Sequence, residues 1–433
     1  MKLVTADGKN DLELLRAIRS RGGENTARAT EAVQKIIDDV RLRGDDAVRE
    51  YTLRFDGVAP ETFEVSKSAI EAAYRAAPRD FIVSLERAAA NIRDFHERQR
   101  QQSWLETKEN GVILGQRIRG LTRVGVYVPG GTAAYPSSVL MNVIPAKVAG
   151  VREIVMVTPP TRSGAVNPAI LAAARVAGVD RIFAVGGAQA VAALAFGTRQ
   201  IPKADKIVGP GNIYVATAKR LVFGTVDIDM IAGPSEILII ADETAEPAFL
   251  AADLMSQAEH DAMASAILVT TSRRVAEATV AELDRQVSKL SRADIIRRSL
   301  EDFGAAIVCG GIEQAVRTAN ELAPEHLELM VENPMELLGE IDNAGSVFLG
   351  RYAPEPLGDY FAGPNHVLPT GGTARFFSPL SVDSFIKKSS FIYYTQAALA
   401  DAKDDITTLA RAEGLTAHAH SIEIRFEGRE NCK

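Results

Sequence analysis

Cysteine is scarce in this chain, and long apolar runs and an excess of positive charge are missing. The 433 residues include two cysteines, Cys309 and Cys432, which are too few for a disulfide framework or a thiolate metal site. No apolar stretch is long enough to span a bilayer, and none follows the start as a secretory signal would require. The net charge of −7 disfavours nucleic acid, because phosphate binding needs basic patches. These absences predict a cytoplasmic protein with neither nucleic acid nor membrane as a partner.

The first hundred residues have the apolar periodicity of helices. Apolar side chains recur at helical spacing over residues 26–43 and again over residues 80–100. His96 lies in the second stretch among charged neighbours, where we expect a surface position. The pattern predicts an N-terminal helical region over residues 1–110.

From about residue 112, short apolar runs end in glycine or proline turns and lead into alanine-rich helical stretches. This alternation predicts parallel βαβ units. A first series of predicted strands comprises Ile154–Val157, Ile182–Val185 and Lys206–Val208. A second series comprises Ile237–Ile240, Ala266–Val269, Ala306–Cys309, His326–Met330 and Ser346–Leu349.

Three glycine-rich turns follow predicted strands. Two of them, Gly186–Gln189 and Gly209–Asn212, precede predicted helices, and ligands bind at such strand ends, where helix N-termini favour phosphates. Neither has the dinucleotide fingerprint, because Tyr214 stands at the third glycine position of the second turn. They predict either a nucleotide site or simply tight connections. The third turn, Tyr127–Gly131, carries an aromatic side chain that could face a ring.

The two series predict an α/β fold with two Rossmann-like doubly wound domains that lack the usual glycine fingerprint. We place the first domain at residues 111–235 and the second at 236–372. Residues 373–433 have a helical pattern and are predicted to form a C-terminal helical tail.

Gln257 and His260 lie at the end of a predicted helix that begins near Pro247. Gln257 shares a helix stripe with Leu250 and Leu254, so its amide should point inward, where a polar group needs a partner. Histidine near a helix C-terminus is also favoured as a cap. The pair is therefore compatible with ligands or with a capped helix end.

Glu325 and His326 stand after Pro324, at the start of an apolar strand. A histidine beside a carboxylate suits a general base, because its ordinary pKa lies near neutrality. A polar residue satisfied at a loop edge is an equally good interpretation. Because adjacent strand residues face opposite ways, the two side chains can share one site only if the strand begins after them.

A long loop rich in glycine and proline, residues 354–372, contains Asp359 and His366. Loops of this length without secondary structure tend to be functional. His418 and His420 follow in the tail. Imidazole, carboxylate and amide donors with almost no thiolates suit zinc, which can orient a substrate when the protein leaves some of its coordination positions open.

Several segments together resemble those of the histidinol dehydrogenase family, in the family's order and over nearly the whole chain. The matching segments are Val126–Gly131, Val185–Ala190, Val208–Asn212, Ala232–Glu236, Ser256–Asp261, Ala323–Leu327, Leu357–Tyr360 and Glu413–His418.

The resemblance implies oxidation of L-histidinol to L-histidine through L-histidinaldehyde, with two NAD⁺ as hydride acceptors, in the last steps of histidine biosynthesis. It implies one Zn²⁺ per subunit, which holds the substrate, and a homodimer in which the C-terminal segment completes the neighbour's site. Because no cysteine or flavin motif supplies a hydride acceptor, a bound nicotinamide fits the chemistry.

Carried over residue by residue, the resemblance assigns His326 as the main base and Glu325 as the group that activates water for the second oxidation. The zinc ligands would be Gln257, His260, Asp359 and His418. The NAD contacts would be Tyr127, Gln189 and Asn212. The substrate contacts would be Ser235, Gln257, His260, His326, Asp359, His366, Glu413 and His418.

His420 departs from the family pattern, since it stands two residues after His418 and could also reach a metal; its spacing from Glu413 favours His418. Three other functions compete with the assignment. A related zinc dehydrogenase for another small alcohol is disfavoured by Ser235, His366 and Glu413, which match the histidinol pattern. A zinc hydrolase would leave the two α/β units without a purpose, and a silent nucleotide-binding module would not need a complete ligand set.

Overall fold

The computed structural model describes residues 1–8, 10–19, 23–130 and 134–427; Gly131 and Cys432 lie outside these ranges. Among the described residues, no helix has the length and apolar character that a membrane span requires.

The strands of these ranges are β1 Lys2–Thr5, β2 Trp104–Thr107, β3 Ile113–Gly120, β4 Arg123–Tyr127, β5 Glu153–Thr158, β6 Arg181–Ala184, β7 Lys206–Val208, β8 Asp227–Ile228, β9 Glu236–Ala241, β10 Ser265–Thr270, β11 Gly304–Val308, β12 His326–Met330, β13 Ser346–Leu349 and β14 Ile386–Tyr393.

The α-helices of the same ranges are α1 Asn10–Arg19, α2 Gly23–Arg43, α3 Asp45–Asp56, α4 Lys67–Ala76, α5 Arg79–Glu97, α6 Pro136–Val148, α7 Pro168–Ala177, α8 Gly187–Phe196, α9 Ile213–Val222, α10 Pro247–Ala258, α11 Arg273–Val287, α12 Ala293–Phe303, α13 Ile312–Leu322, α14 Pro334–Leu337, α15 Glu355–Tyr360, α16 Gln396–Ala412 and α17 Thr416–Glu423. Two compact units contain them. The first comprises Met1–Arg100 and Gly120–Phe385, and the second comprises Gln101–Arg119 and Ile386–Lys433.

The first sheet of the larger unit has five parallel strands in the order β6-β5-β4-β7-β8. Numbered within the sheet, this is the 3-2-1-4-5 order of nucleotide-binding α/β sheets. Its strands are apolar on both faces because helices cover both. Helices α4–α7 pack on one face, and α2, α3, α8 and α9 pack on the other.

The second sheet of this unit also consists of parallel strands, in the order β1-β11-β10-β9-β12-β13. Strands β9 to β13 repeat the 3-2-1-4-5 order, and β1 extends the edge beside β11. Helices α10–α12 contribute the apolar residues of one face, and α1 and α13 contribute those of the other. The α/β fold with two doubly wound parallel sheets is thus confirmed.

The two ends of the chain are less helical than expected. Within residues 1–110, β1 and β2 are strands, and within residues 373–433 the eight residues of β14 form a strand. Strand β1 has only four residues, so its pattern is too short to distinguish from a helix end. The assignment of residues 1–110, 111–235, 236–372 and 373–433 as separate domains stays a prediction.

His96 was expected at the surface, and that expectation is wrong: its side chain is fully buried. It follows Leu85, Ala89 and Ile92 along the inward stripe of α5, so helical spacing and not the charge of its neighbours decides its position. Its Nδ1 lies 2.7 Å from Gln99 Oε1, an oxygen that can only accept a hydrogen bond.

The smaller unit contains a three-stranded sheet in the order β14-β3-β2, in which β2 and β3 are antiparallel. Helices α16 and α17 pack against each other. Glu413 is the C-terminal cap of α16, whereas His418 and His420 lie on α17.

Candidate active site

The carboxyl edge of the first sheet brings two of the glycine-rich turns together through Tyr127, the last residue of β4. Its hydroxyl accepts a hydrogen bond from the backbone N–H of Gly187 at 3.1 Å. Gly187 has φ of +64°, a left-handed conformation that favours glycine. Burial raises the pKa of Tyr127 to about 12, so the phenol stays protonated near neutrality.

Gln189 lies in the first turn of α8 at the same edge and is fully buried. Neither its Oε1 nor its Nε2 has a hydrogen-bond partner among the described residues. Leaving both polar atoms of a buried amide unpaired costs free energy. A polar ligand at this edge would supply the missing partners.

Asn212 is the N-cap of α9, directly after the turn that leaves β7. Its Oδ1 accepts from the N–H groups of Tyr214 at 3.0 Å and Val215 at 3.2 Å. The side chain is exposed, and its Nδ2 donates no hydrogen bond to the described residues. The three residues predicted to contact NAD therefore all lie where β4, β6 and β7 end.

The amino edge of the second sheet carries His326, the first residue of β12. Its Nδ1 lies 3.0 Å from the carbonyl oxygen of Glu236, which can only accept. The ring hydrogen is therefore on Nδ1, and Nε2 keeps its lone pair. Nε2 is buried without a hydrogen-bond partner among the described residues. Burial lowers the pKa of His326 to about 4, so the ring is neutral at pH 7 and can accept a proton at Nε2.

Glu325 lies beside this histidine. Its Oε2 accepts a hydrogen bond from the N–H of Glu236 at 2.9 Å and lies 3.6 Å from His326 Nδ1. Burial raises the pKa of Glu325 well above its ordinary value. The strand begins at His326 and not after it, so the condition set by the sequence is not met. Glu325 stands before the strand, where strand alternation does not fix its direction, and its carboxylate still lies beside the His326 ring.

Asp359 and His366 lie near His326, but Asp359 is on a helix and not on the irregular loop that the sequence predicted. Residues 355–360 form α15, too short a helix to show a period. His366 Nδ1 is 3.4 Å from Asp359 Oδ1. Burial opposes ionisation, yet the hydrogen bond from His366 helps hold the pKa of Asp359 down at about 2. His326, Asp359 and His366 line a cavity of about 200 Å³.

The donor set at this cavity fits a divalent metal. Ligand atoms of His326, Glu355 and Asp359 lie within 4.8 Å of one another. Gln257 is 1% exposed, and its Oε1 has no hydrogen-bond partner among the described residues, so it suits a metal–oxygen bond. His260 follows α10 and is close enough to act electrostatically on both His326 and Asp359. Nitrogen and oxygen donors without thiolate are those that zinc accepts in catalytic sites.

Three buried acids at this site were not predicted from the sequence. Glu355 Oε1 lies 3.8 Å from His326 Nε2, and its Oε2 accepts a hydrogen bond from Ser256 at 3.1 Å. Glu328 Oε1 accepts a hydrogen bond from the backbone N–H of Glu355 at 2.8 Å, and Asp253 is a neighbour of Glu328. Burial raises the pKa of all three. One signal was available, because Glu328 interrupts an apolar strand that helices cover on both faces.

Three predicted site residues, Ser235, Glu413 and His418, lie outside the cluster around His326 described above. Ser235 precedes β9 at the amino edge of the second sheet and is half-buried. Glu413 and His418 are exposed residues of the smaller unit. Their roles, and the choice between His418 and His420, stay predictions.

Two parallel sheets of nucleotide-binding topology and a cluster of buried histidine, carboxylate and amide side chains are typical of an α/β enzyme. The family model described as histidinol dehydrogenase matches residues 19–426. A histidinol dehydrogenase of Clostridium acetobutylicum is 57% identical over 98% of this chain and 99% of its own length. One of Geobacter sulfurreducens is 55% identical over 95% and 96%. The crystal structure of histidinol dehydrogenase from Elizabethkingia anophelis has a TM-score of 0.87 at 42% identity and covers 92% of each chain. The chain belongs to the histidinol dehydrogenase family of oxidoreductases.

Proposed function

We propose that this protein is an NAD-dependent, zinc-containing enzyme that oxidises L-histidinol to L-histidine through L-histidinaldehyde. Each of the two oxidations removes one hydride and one proton from the same carbon–oxygen unit. The family membership supports the substrate and the place in histidine biosynthesis. The chain itself must supply a base, a place for the dinucleotide and groups that hold the substrate.

One observation carries the proposal, and it is the state of His326. The hydrogen bond from Nδ1–H to the Glu236 carbonyl fixes the ring so that Nε2 is the basic atom. Nε2 has no partner among the described residues, and His326 lines the same cavity as His366 and Asp359. Such an atom can take the hydroxyl proton of an alcohol as the hydride leaves.

Glu325 would serve the second oxidation. The aldehyde must be hydrated before another hydride can leave, and hydration needs a group that removes a proton from water. Burial raises the pKa of Glu325, which makes its carboxylate a stronger base than an exposed one. Its Oε2 lies 3.6 Å from His326 Nδ1, which supports a place beside the ring that serves the first oxidation.

Gln257, His260, Asp359 and His418 would hold the zinc. The metal, when bound, is redox-inert and supplies a Lewis acid that binds and orients the substrate. The unpaired Oε1 of Gln257 supports this assignment because a metal would give this buried acceptor a partner. The ionised Asp359 supports it by offering a negatively charged oxygen ligand. Glu355 and His326 lie near enough to compete as ligands, and this alternative is open to test.

NAD would bind at the carboxyl edge of the first sheet, where it would supply the hydride acceptor. The two unpaired amide atoms of Gln189 support this location, as does the exposed side chain of Asn212. Tyr127 would position the turn at Gly187 and offer its phenolic hydrogen.

A cytoplasmic homodimer with shared sites completes the proposal. The smaller unit carries Glu413 and His418, together with large apolar side chains that are exposed in the single chain. Contiguous exposed apolar surface marks interfaces between proteins. The exposed apolar side chains of this unit include Trp104, Leu105, Ile392, Tyr393 and Leu409.

The test is a spectrophotometric assay of NADH formation with purified, zinc-loaded protein and L-histidinol. We expect two NADH per histidinol consumed, L-histidine as the product, and loss of activity with a chelator that zinc restores. Zinc-loaded, folded protein that forms no NADH would refute the proposed activity. Production of one NADH with accumulation of aldehyde would refute the role given to Glu325.

A further inference from the structure

A buried ion pair lies beneath the Gly209–Asn212 turn. Lys219, on α9, and Asp229, which directly follows β8, form a contact in which the two side chains are only 3% and 1% exposed. Neither residue has a part in the chemistry proposed above. Charged side chains are rarely buried this completely unless they are paired, as these two are.

The pair binds both polar groups of one turn residue. Lys219 Nζ donates a hydrogen bond to the carbonyl oxygen of Gly209 at 2.9 Å. The N–H of Gly209 donates to Asp229 Oδ2 at 2.8 Å. Asp229 thus uses Oδ2 for the turn and Oδ1 for Lys219 and the N–H of Met230. The backbone of Gly209 is held through both its N–H and its carbonyl oxygen.

The turn needs such support because it has little of its own. Gly209 has φ of +111°, and a Cβ there would lie 2.0 Å from the carbonyl oxygen of Tyr127, so a glycine is required for the close approach. Gly211 offers no side chain either. The turn ends at Asn212, whose side chain caps α9 and whose position depends on the backbone before it.

Stability alone is a weak reason for this arrangement. Removing two charges from water costs free energy that their attraction often fails to recover, and apolar replacements of buried ion pairs are frequently neutral or stabilising. What an apolar pair could not supply is the donor for the Gly209 carbonyl and the acceptor for its N–H. The specific gain is the fixed geometry of the turn.

We propose that Lys219 and Asp229 are positioning residues that hold the Gly209–Asn212 turn in the conformation that binds the dinucleotide. They act through Gly209 and do not touch the ligand. This inference rests on the proposed location of NAD at the carboxyl edge of the first sheet.

The decisive variant is the double substitution Lys219→Met with Asp229→Asn. It removes both charges together, which avoids leaving one buried charge unpaired, and it leaves the Gly209 carbonyl without its donor. We expect the KM for NAD to rise about tenfold, the loss that one hydrogen bond to a charged group produces. The KM for L-histidinol and the zinc content should stay near wild type, a split that general destabilisation would not produce.

A matched control exists in the same sheet. Lys206, on β7, pairs with Asp227 at 2.9 Å and donates to the carbonyl of Ser384 at 2.6 Å, away from the turn. Lys206→Met with Asp227→Asn removes the same charges. We expect it to lower the melting temperature. The KM for NAD should stay within about twofold of wild type, which is less than the change that the loss of one hydrogen bond to a charged group produces.

Two further variants separate the possible failures. If Asn212→Ala raises the KM for NAD and the Lys219/Asp229 double variant does not, the positioning role is wrong and the NAD site survives. If neither changes it, the NAD site is wrong and the inference fails with it. Should the double variant not fold, Lys219→Gln with Asp229→Asn removes the same two charges and keeps polar side chains. The Gln side chain has two fewer methylenes than that of Lys219 and does not reach the Gly209 carbonyl as Lys219 does. An unchanged KM for NAD in that variant would also overturn the inference.

Discussion

Replacing His326 by Asn tests the chemistry most directly. In the wild type, Nδ1–H donates to the Glu236 carbonyl, and Nε2 is the free basic atom. The amide nitrogen of Asn can occupy a position like that of Nδ1 and keep the donation to Glu236. The substitution therefore removes the proposed base while retaining the hydrogen bond that anchors it.

The expected loss follows from what a general base contributes. Positioned proton transfer accelerates reactions by about 10²- to 10⁴-fold, so kcat should fall by that factor. This corresponds to about 3–5 kcal/mol of transition-state stabilisation. The KM for histidinol should change little, since the substrate is held mainly by other groups.

The assay combines three measurements on the same preparation. NADH formation at saturating histidinol and NAD gives kcat, mass spectrometry of the metal gives zinc per subunit, and thermal unfolding shows whether the fold is intact. We expect full zinc occupancy, a melting temperature near wild type and the large loss in kcat.

Two outcomes would refute the reasoning, and they differ in meaning. A kcat within tenfold of wild type would show that another group removes the hydroxyl proton. Loss of zinc would show that His326 is a ligand, in the cluster it forms with Glu355 and Asp359, and not the base.

Three other changes probe the metal site and the buried acids. His260→Ala should lower zinc content before it affects anything else, and a variant with full zinc and activity would remove His260 from the ligand set. His418→Asn should reduce zinc affinity more than tenfold, whereas the matched control His420→Asn on the same helix should not; the reverse result, measured by metal titration, would exchange their roles. Glu355→Gln tests the buried acids in metal-free protein. Burial and the charge of Asp359 raise the pKa of Glu355 from 4.5 to about 9, so folding holds a proton that the unfolded chain releases. Metal-free wild type should therefore lose stability as pH rises toward 9, and the Gln variant, which has no proton to release, should lose less; parallel pH–melting curves would contradict this.

Strands of the two sheets were predictable because both faces of each sheet are covered. The runs Ile154–Val157 and Ile237–Ile240 are continuously apolar, and the structure has strands there with one further residue at each end. Glycine turns between the runs then identified the βα connections.

Short elements and long-range contacts were less accessible. Strand β1 pairs with β11, some three hundred residues away, and four residues carry too little pattern to reveal it. The burial of His96 depends on which stripe of α5 faces the core. The position of Glu355 beside His326 depends on α15 packing near β12, which local sequence does not encode.

The candidate site also departs from the general placement of ligands in α/β sheets. Such ligands bind at the carboxyl ends of strands, and the predicted NAD contacts follow that rule in the first sheet. His326 and Ser235, in contrast, lie at the amino edge of the second sheet. The chain explains the difference. It leaves the carboxyl end of β8 and enters the amino end of β9 through residues 229–235, which can span about 25 Å at most. This connection limits the distance between the carboxyl end of β8 and the amino end of β9. In the proposed arrangement, a hydride acceptor at the first edge meets a substrate at the second, and the proposed base accordingly lies at the start of a strand and not at its end.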